Sequence, residues 1–357
     1  MSDRAAAPAV DILINNHDYG EFLPDAIDSA LGQTHPAVNV LVVDDGSTDG
    51  SRELLRERED EVTVILKEAG GQASAINAGL SSCKGEVVIF LDADDVLHPE
   101  AAARAAAAFA ADERLTRVQF RMDVIDAEGR GTGVVKPAEH LPMPQGDMRA
   151  AELAYPFDIT WMAMSANAFR TEVVRRIAPI PSEDYPVSGA DWYLVHLTAL
   201  IGPIASLEEV LASYRVHGRN SYEPQSAELS LPHVRKAIDR SAATSKALLR
   251  LADELDRPRP EQILSIADLA NRIISVKLEP ERHPIAGDSL GGLVRDAVGA
   301  ARRRDNVAAP MRIMFVAWFV AIAVSPRRLA RHLAILFLFP VRRSSLNRAL
   351  ARMQARD

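Results

Sequence analysis

A chain of 357 residues, 48% apolar and 25% charged, is long enough to bury a large core, and its ordinary globular composition excludes disordered and collagen-like classes. A formal net charge of -8 argues against a general nucleic-acid binder, which needs excess Lys and Arg to displace counterions from phosphates. The charge is uneven, because residues 301–357 hold 12 Arg, no Lys and two Asp, a net of +10 that leaves -18 on the rest. Cys83 is the only cysteine, which excludes an intrachain disulfide or a multi-cysteine metal site. With no apolar run of signal-peptide length in residues 1–10, the sequence reads as cytoplasmic.

From residue 10 to about 124, short Val- and Ile-rich runs alternate with stretches of helical period, the pattern of βαβ units and a mostly parallel sheet. The runs predict strands over 10–15, 38–44, 62–67, 87–92 and 118–124, with helices near 22–31, 50–58, 72–81 and 99–110. Ligands of such sheets gather beyond the carboxyl ends of the strands. Residues 128–144, rich in Gly and Pro, read as a loop, and mixed helix and strand signals over 151–214 complete the same domain. Helical patterns follow at 227–255, 260–278 and 289–304. The expected division is an α/β domain at 1–225, a helical extension at 226–305 and a basic, apolar segment at 306–357.

In that last segment two apolar runs, 313–324 and 329–339, are each shorter than the ~20 residues of a spanning helix. Arg312, Arg327, Arg328, Arg331, Arg342 and Arg343 flank them, so the segment is expected to lie on an anionic membrane surface, or else to pack on protein.

Two acidic clusters and one further aspartate stand out. Asp92, Asp94 and Asp95 follow the apolar run Val87-Val88-Ile89-Phe90, and carboxylates so close repel one another unless a cation or solvent separates them. Hard Mg²⁺ or Mn²⁺ takes oxygen ligands and keeps positions for substrate phosphates; the alternative is a solvated turn capping the next helix. Asp44 and Asp45 end another strand, where Asp45 could accept from a base or ribose, Gly46 permits a sharp turn, and Thr48 or Asp49 caps a helix. Asp191 opens an amphipathic helix, where an aspartate can act as a helix cap. Gly70, Gly71 and Gln72 mark a helix entry suited to close backbone approach to an anionic ligand.

These turns, with Ile12-Leu13-Ile14-Asn15-Asn16-His17-Asp18-Tyr19 and the segment Gly70-Gly71-Gln72-Ala73-Ser74-Ala75-Ile76-Asn77-Ala78-Gly79, resemble family 2 glycosyltransferases of the GT-A fold over residues 10–221. The resemblance implies a Rossmann-like α/β fold, a mostly parallel sheet flanked by helices, and here a helical C-terminal extension. It implies inverting transfer from a UDP-sugar or other nucleotide-sugar to a glycan or lipid-linked acceptor, with Mn²⁺ or Mg²⁺ as cofactor and no nucleic-acid partner. Asn15, His17 and Asp45 would then contact base and ribose, with Gln72 on the donor side. His17 stands where the family usually has Tyr, and Asp18 where it usually has Asn.

By the same resemblance Asp92 approaches the ribose, Asp94 holds the metal, and Asp191 is the base. Similar enzymes carry a Tyr-Arg-x-His-x-x-Asn segment; here Tyr214-Arg215-Val216-His217-Gly218-Arg219-Asn220 would bring His217 to the metal or diphosphate and Arg215 or Arg219 to the phosphates. Trp161, Met164, Ser165 and Asn167 fall where related enzymes face the acceptor. Glu183 and Asp184, on a Pro-flanked loop, are further acceptor-side candidates.

Competing chemistries lack their motifs. No Gly-x-Gly-x-x-Gly follows the first strand and no Gly-x-x-x-x-Gly-Lys-Ser/Thr occurs, which sets aside dinucleotide oxidoreductases and phosphate-loop NTPases. A nucleotidyltransferase would share the carboxylate pair without the segment from Asp191 to His217. A non-catalytic donor-binding protein should have lost at least one of Asp45, Asp92, Asp94 and Asp191, and all four are present.

Overall fold

The structure, a computed structural model, describes residues 7–220, 229–304 and 307–338. Contacts divide the described residues into two units, one of residues 7–153, 159–220 and 244–259 and one of residues 154–158, 229–243, 260–304 and 307–338.

The first unit opens as expected, with β1 (Val10–Asn16), α1 (Leu23–Leu31), β2 (Val38–Asp45), α2 (Ser51–Glu57), β3 (Thr63–Lys67), α3 (Gln72–Leu80) and β4 (Val87–Asp92). After a two-residue β5 (Val96–Leu97) come α4 (Ala101–Ala111), β6 (Arg117–Ile125), β7 (Gly131–Lys136), α5 (Arg149–Ala154), β8 (Asn167–Arg170), α6 (Thr171–Ile177), α7 (Ala190–Ile201) and β9 (Ile204–Arg215). All nine strands share one sheet in the order β3-β2-β1-β4-β8-β6-β9-β5, with β7 on β6. β1 to β4 run parallel, and β6 parallel to β9, while β5, β7 and β8 pair antiparallel.

The continuous apolar runs of β1, β2 and β4 follow from burial on both faces. Ile12, Ile14, Val40 and Val42 share a core with Leu23, Ala26 and Ile27 of α1, whereas Leu13 and Val43 meet α3 at Gly79 on the other face. The expected loop over 128–144 is corrected. Gly131–Lys136 pairs antiparallel with β6, and as a largely exposed edge strand it needs little of the apolar alternation that betrays a half-buried one.

In the second unit α8 (Leu231–Glu254), whose last turns belong to the first unit, is followed by α9 (Ile266–Leu278), α10 (Leu290–Arg303), α11 (Ala309–Val324) and α12 (Arg327–Leu338). The expected helix start at Pro260 is six residues early. Ser265 precedes the helix in extended conformation, and Asp158 accepts from the Ile266 and Ala267 amides (2.8 and 2.8 Å), satisfying two N–H groups the helix end leaves open. Ile238, Leu269, Ile273, Leu293, Ala297, Phe319 and Ile322 form this unit's core. Ser325-Pro326 separates α11 from α12. Among the described residues no helix is long and apolar enough to cross a membrane. Phe339, Arg342, Arg343 and the expected boundary at 225 lie outside the described residues.

Candidate active site

The parallel register sets the strand ends side by side. Asn15 lies level with Asp92, Asn16 with Asp44 and Asp45 with Lys67, so polar residues that each follow an apolar run meet along one edge. Each pairing is realised in side chains. Asn15 donates to Asp92 (2.8 Å), Asn16 donates to Asp44 (3.0 Å), and Lys67 pairs with Asp45.

Asp44 is fully buried and anchors the second acidic turn. It accepts from the Ser47 amide (3.1 Å) and from Arg52 of α2 (2.7 Å). Burial alone would push this carboxyl up, but the hydrogen bonds of Ser47, Arg52 and Asn16 outweigh it and hold it below its ordinary value.

Asp45, also buried, accepts from the amides of Gly70 (2.9 Å) and Gly71 (2.6 Å) as well as from Lys67. Its carboxylate therefore fastens the glycine turn that opens α3. Gly71 has φ +83, and a Cβ there would collide with the Pro186 carbonyl oxygen, so only glycine admits this approach. His17 bonds the Asp45 carbonyl oxygen through Nδ1 (2.8 Å) and leaves its side chain 54% exposed at the rim.

Gln72 joins two parts of the site. Its amide nitrogen donates to Asp92 (3.0 Å), while its amide oxygen accepts from the backbone N–H groups of Gly189 (3.2 Å) and Ala190 (3.3 Å) at the start of α7. Asp191 is the second residue of that helix; Gly189, not Asp191, caps it, so the reading of Asp191 as a helix cap is set aside. Asp92 has its acidity lowered to a pKa of about 7, by burial first and then by the Asp94 charge, with Asp191 adding to it, against hydrogen bonds from Asn15 and Gln72.

Beyond β4 the chain turns through Asp94 and Asp95 into β5, which pairs with the end of β9 and so brings 213–217 alongside. Asp95 is buried, accepting from Ser165 Oγ (2.6 Å) and from the Arg215 amide (3.0 Å). Burial, with Asp94 and Asp92 beside it, raises its pKa well above the usual carboxylate range. Asp94 Oδ2 stands 2.9 Å from His217 Nε2, with the Tyr19 ring 5.4 Å from the imidazole. Burial and the Asp94 and Asp92 charges push the Tyr19 phenol up to about 12.

Arg215 is buried beneath this turn. Its guanidinium donates to the carbonyls of Asp94 (2.9 Å) and Ala127 (3.1 Å) and to Asp25 (2.7 Å). Arg219, half exposed, lies over Tyr19 and Phe22.

The expected acceptor residues scatter. Asn167 is buried, its amide donating to the carbonyls of Met162 (3.2 Å) and Ala163 (2.6 Å), so it braces the chain rather than facing a bound molecule. Glu183 and Asp184 are exposed on the loop that leads to α7. Trp161 is half-buried between Arg117, 4.2 Å from its ring, and Glu152, which accepts from its indole N–H (2.9 Å) and also bonds His196 of α7 (2.9 Å). Burial pushes Arg117 down to about 9, against the pull of Glu152. Neither Lys67 nor the Glu152–His196 pair carries a motif in the sequence; for Lys67 the level register with Asp45 is the signal that could have found it.

Among the described residues no three His, Cys, Asp or Glu side chains are grouped to hold a metal unaided. Asp94 and His217 nevertheless present an oxygen and a nitrogen 2.9 Å apart, close to the separation of adjacent ligands at ~2.1 Å from one cation.

Residues 11–174 match the family Glycosyl transferase family 2. Through that match residues 11–174 are a glycosyltransferase family 2 domain. An uncharacterized glycosyltransferase of Nostoc sp. is 33% identical over 217 residues, 60% of this chain and 66% of that protein. A Bacillus subtilis protein named as a teichuronic acid biosynthesis glycosyltransferase, TuaG, is 38% identical over 92 residues, 25% of this chain and 36% of its own. The chain thus spans two thirds or less of these relatives. Residues 1–349 of TarS from S. aureus, solved in complex with UDP-GlcNAc, superpose with a TM-score of 0.52 at 16% identity, covering 92% of this chain and 90% of that one. That likeness shows the fold, and the α/β sheet with its helices is of the GT-A type.

Proposed function

We propose that this glycosyltransferase moves a sugar, with inversion, from a nucleoside diphosphate sugar to a hydroxyl of a cell-envelope glycan or lipid-linked acceptor. The observation that carries the reading is the convergence of carboxylates from segments about 100 residues apart: Asp92 at the end of β4, Asp94 in the turn beyond it, and Asp191 near the start of a helix that Gln72 ties to Asp92. The UDP-GlcNAc bound by TarS and the envelope polymer in the name of TuaG support the donor and acceptor classes.

On the donor side Asn15, His17 and Asp92 face the nucleoside, while Asp45, Gln72 and Arg215 hold the turns that carry them. Asp94 and His217 would hold Mn²⁺ or Mg²⁺, completed by phosphate oxygens, as hard cations with few protein ligands commonly are. When bound, the cation supplies charge neutralisation to the departing diphosphate. Asp191 accepts the proton of the acceptor hydroxyl as its oxygen attacks the anomeric carbon opposite the leaving group. Glu183 and Asp184, exposed on the loop that leads to α7, border the acceptor side. The acceptor's lipid character fits a peripheral position on the inner face of the cytoplasmic membrane, supported by the basic, apolar C-terminal helices.

The test is thermal unfolding with Mn²⁺ and a panel of nucleotide-sugars. One donor at ~100 times its Kd should stabilise the protein by about 2.7 kcal/mol only when the metal is present, and Asp94→Ala should abolish the metal-dependent part. Equal stabilisation of Asp94→Ala would contradict the assignment.

A further inference from the structure

Helix α11 carries a face that the second unit leaves uncovered. Its inner side packs into the helical core through Phe319 and Ile322, with Trp318 stacked 4.1 Å from Phe337. Its outer side reads Ile313, Ala317, Val320 and Val324, spaced by four, three and four residues and hence aligned along the helix. Ile313 is 69% and Val324 78% exposed, and no charged residue occurs from Ile313 to Val324. A surface helix of a soluble unit ordinarily turns polar side chains to water. Exposed Arg302 and Arg303 precede this helix, and exposed Arg327, Arg328 and the 51% exposed Leu329 follow it.

We propose that this stripe is a membrane-insertion face, by which the chain lies in the interface of an anionic bilayer. Sixteen residues make about 24 Å of helix, short of a ~30 Å hydrocarbon core, so the helix lies in the plane of the membrane and does not cross it. Charge selects lipid over a second copy of the chain. Residues 306–356 contain no Asp or Glu, so pairing two stripes, parallel or antiparallel, sets arginines against arginines, whereas anionic headgroups supply the missing counter-charge. The inference deepens the membrane-peripheral part of the proposed function and rests on it, but the lipid contact is independent of the donor chemistry and is measured without it.

The full chain is pelleted with phosphatidylcholine vesicles containing roughly 30% phosphatidylglycerol and with phosphatidylcholine alone. The expected result is binding to the anionic vesicles that weakens at least about tenfold in Ile313→Glu/Val324→Glu, and again in Arg327→Glu/Arg328→Glu, with donor-induced thermal stabilisation unchanged in both. Equal pelleting of both double variants and the parent overturns the proposal. So does a dimer in lipid-free buffer that Ile313→Glu/Val324→Glu dissociates while vesicle binding is absent, because a second copy then covers the stripe. Loss of donor stabilisation in the parent chain would strike the glycosyltransferase reading and leave the vesicle result standing.

Discussion

Gln72 has no charge and cannot titrate, yet its three hydrogen bonds fix the distance between a donor-side carboxylate and the helix that carries Asp191. Removing them in Gln72→Ala is expected to cost turnover more than donor affinity. A loss of about 1–3 kcal/mol in alignment corresponds to roughly a 5- to 150-fold fall in kcat, with a smaller change in the donor's KM; an unchanged kcat in a folded variant would show that the amide does not position the base. The residue types of this site are legible in the sequence because each acidic turn follows an apolar run, and the end of a buried strand is where polar side chains cluster. Their partners are not. Ser165 on Asp95, and Gln72 on Gly189, join positions 70 and 117 apart, separations that no local pattern encodes. Asp45 and Arg215 show the same limit, since polar side chains read as ligand contacts turn out to hold the glycine turn and the Asp94 turn.

Asp44 ties three elements together, bonding Asn16 at the end of β1 and both Ser47 and Arg52 on the way into α2. Its carboxyl is held below the ordinary value of 3.8, so ionised Asp44 stabilises the fold at neutral pH, and that contribution is lost as pH falls from about 4 through the depressed folded value. Asp44→Asn should therefore lower stability at pH 7 by roughly 1–3 kcal/mol, and the gap from the parent in thermal unfolding should narrow below pH 4. A gap that widens on acidification would contradict this sign. At the scale of elements, the strands buried on both faces are the legible ones, because continuous Val and Ile runs leave little choice. β5 and β8, two and four residues long, exist through their neighbours, and β7 is an exposed edge. The start of α9 is likewise set by Asp158, more than a hundred residues upstream.

For the molecule as a whole, the family match covers the sheet edge where the acidic turns lie, and the acidic body and basic C-terminal stretch divide the charge in a way already visible in the sequence. What composition could not show is that α11, free of charged residues from Ile313 to its end, is covered on one side only. The central claim is that the carboxylate Gln72 and α7 place beside Asp92 takes the acceptor's proton. Release of nucleoside diphosphate by Asp191→Asn, measured beside calorimetric titration of the same donor, tests it most directly. The account predicts donor affinity within about threefold of the parent and turnover lower by roughly 10²- to 10⁴-fold; turnover equal to the parent's, in a variant that binds donor normally, would contradict it.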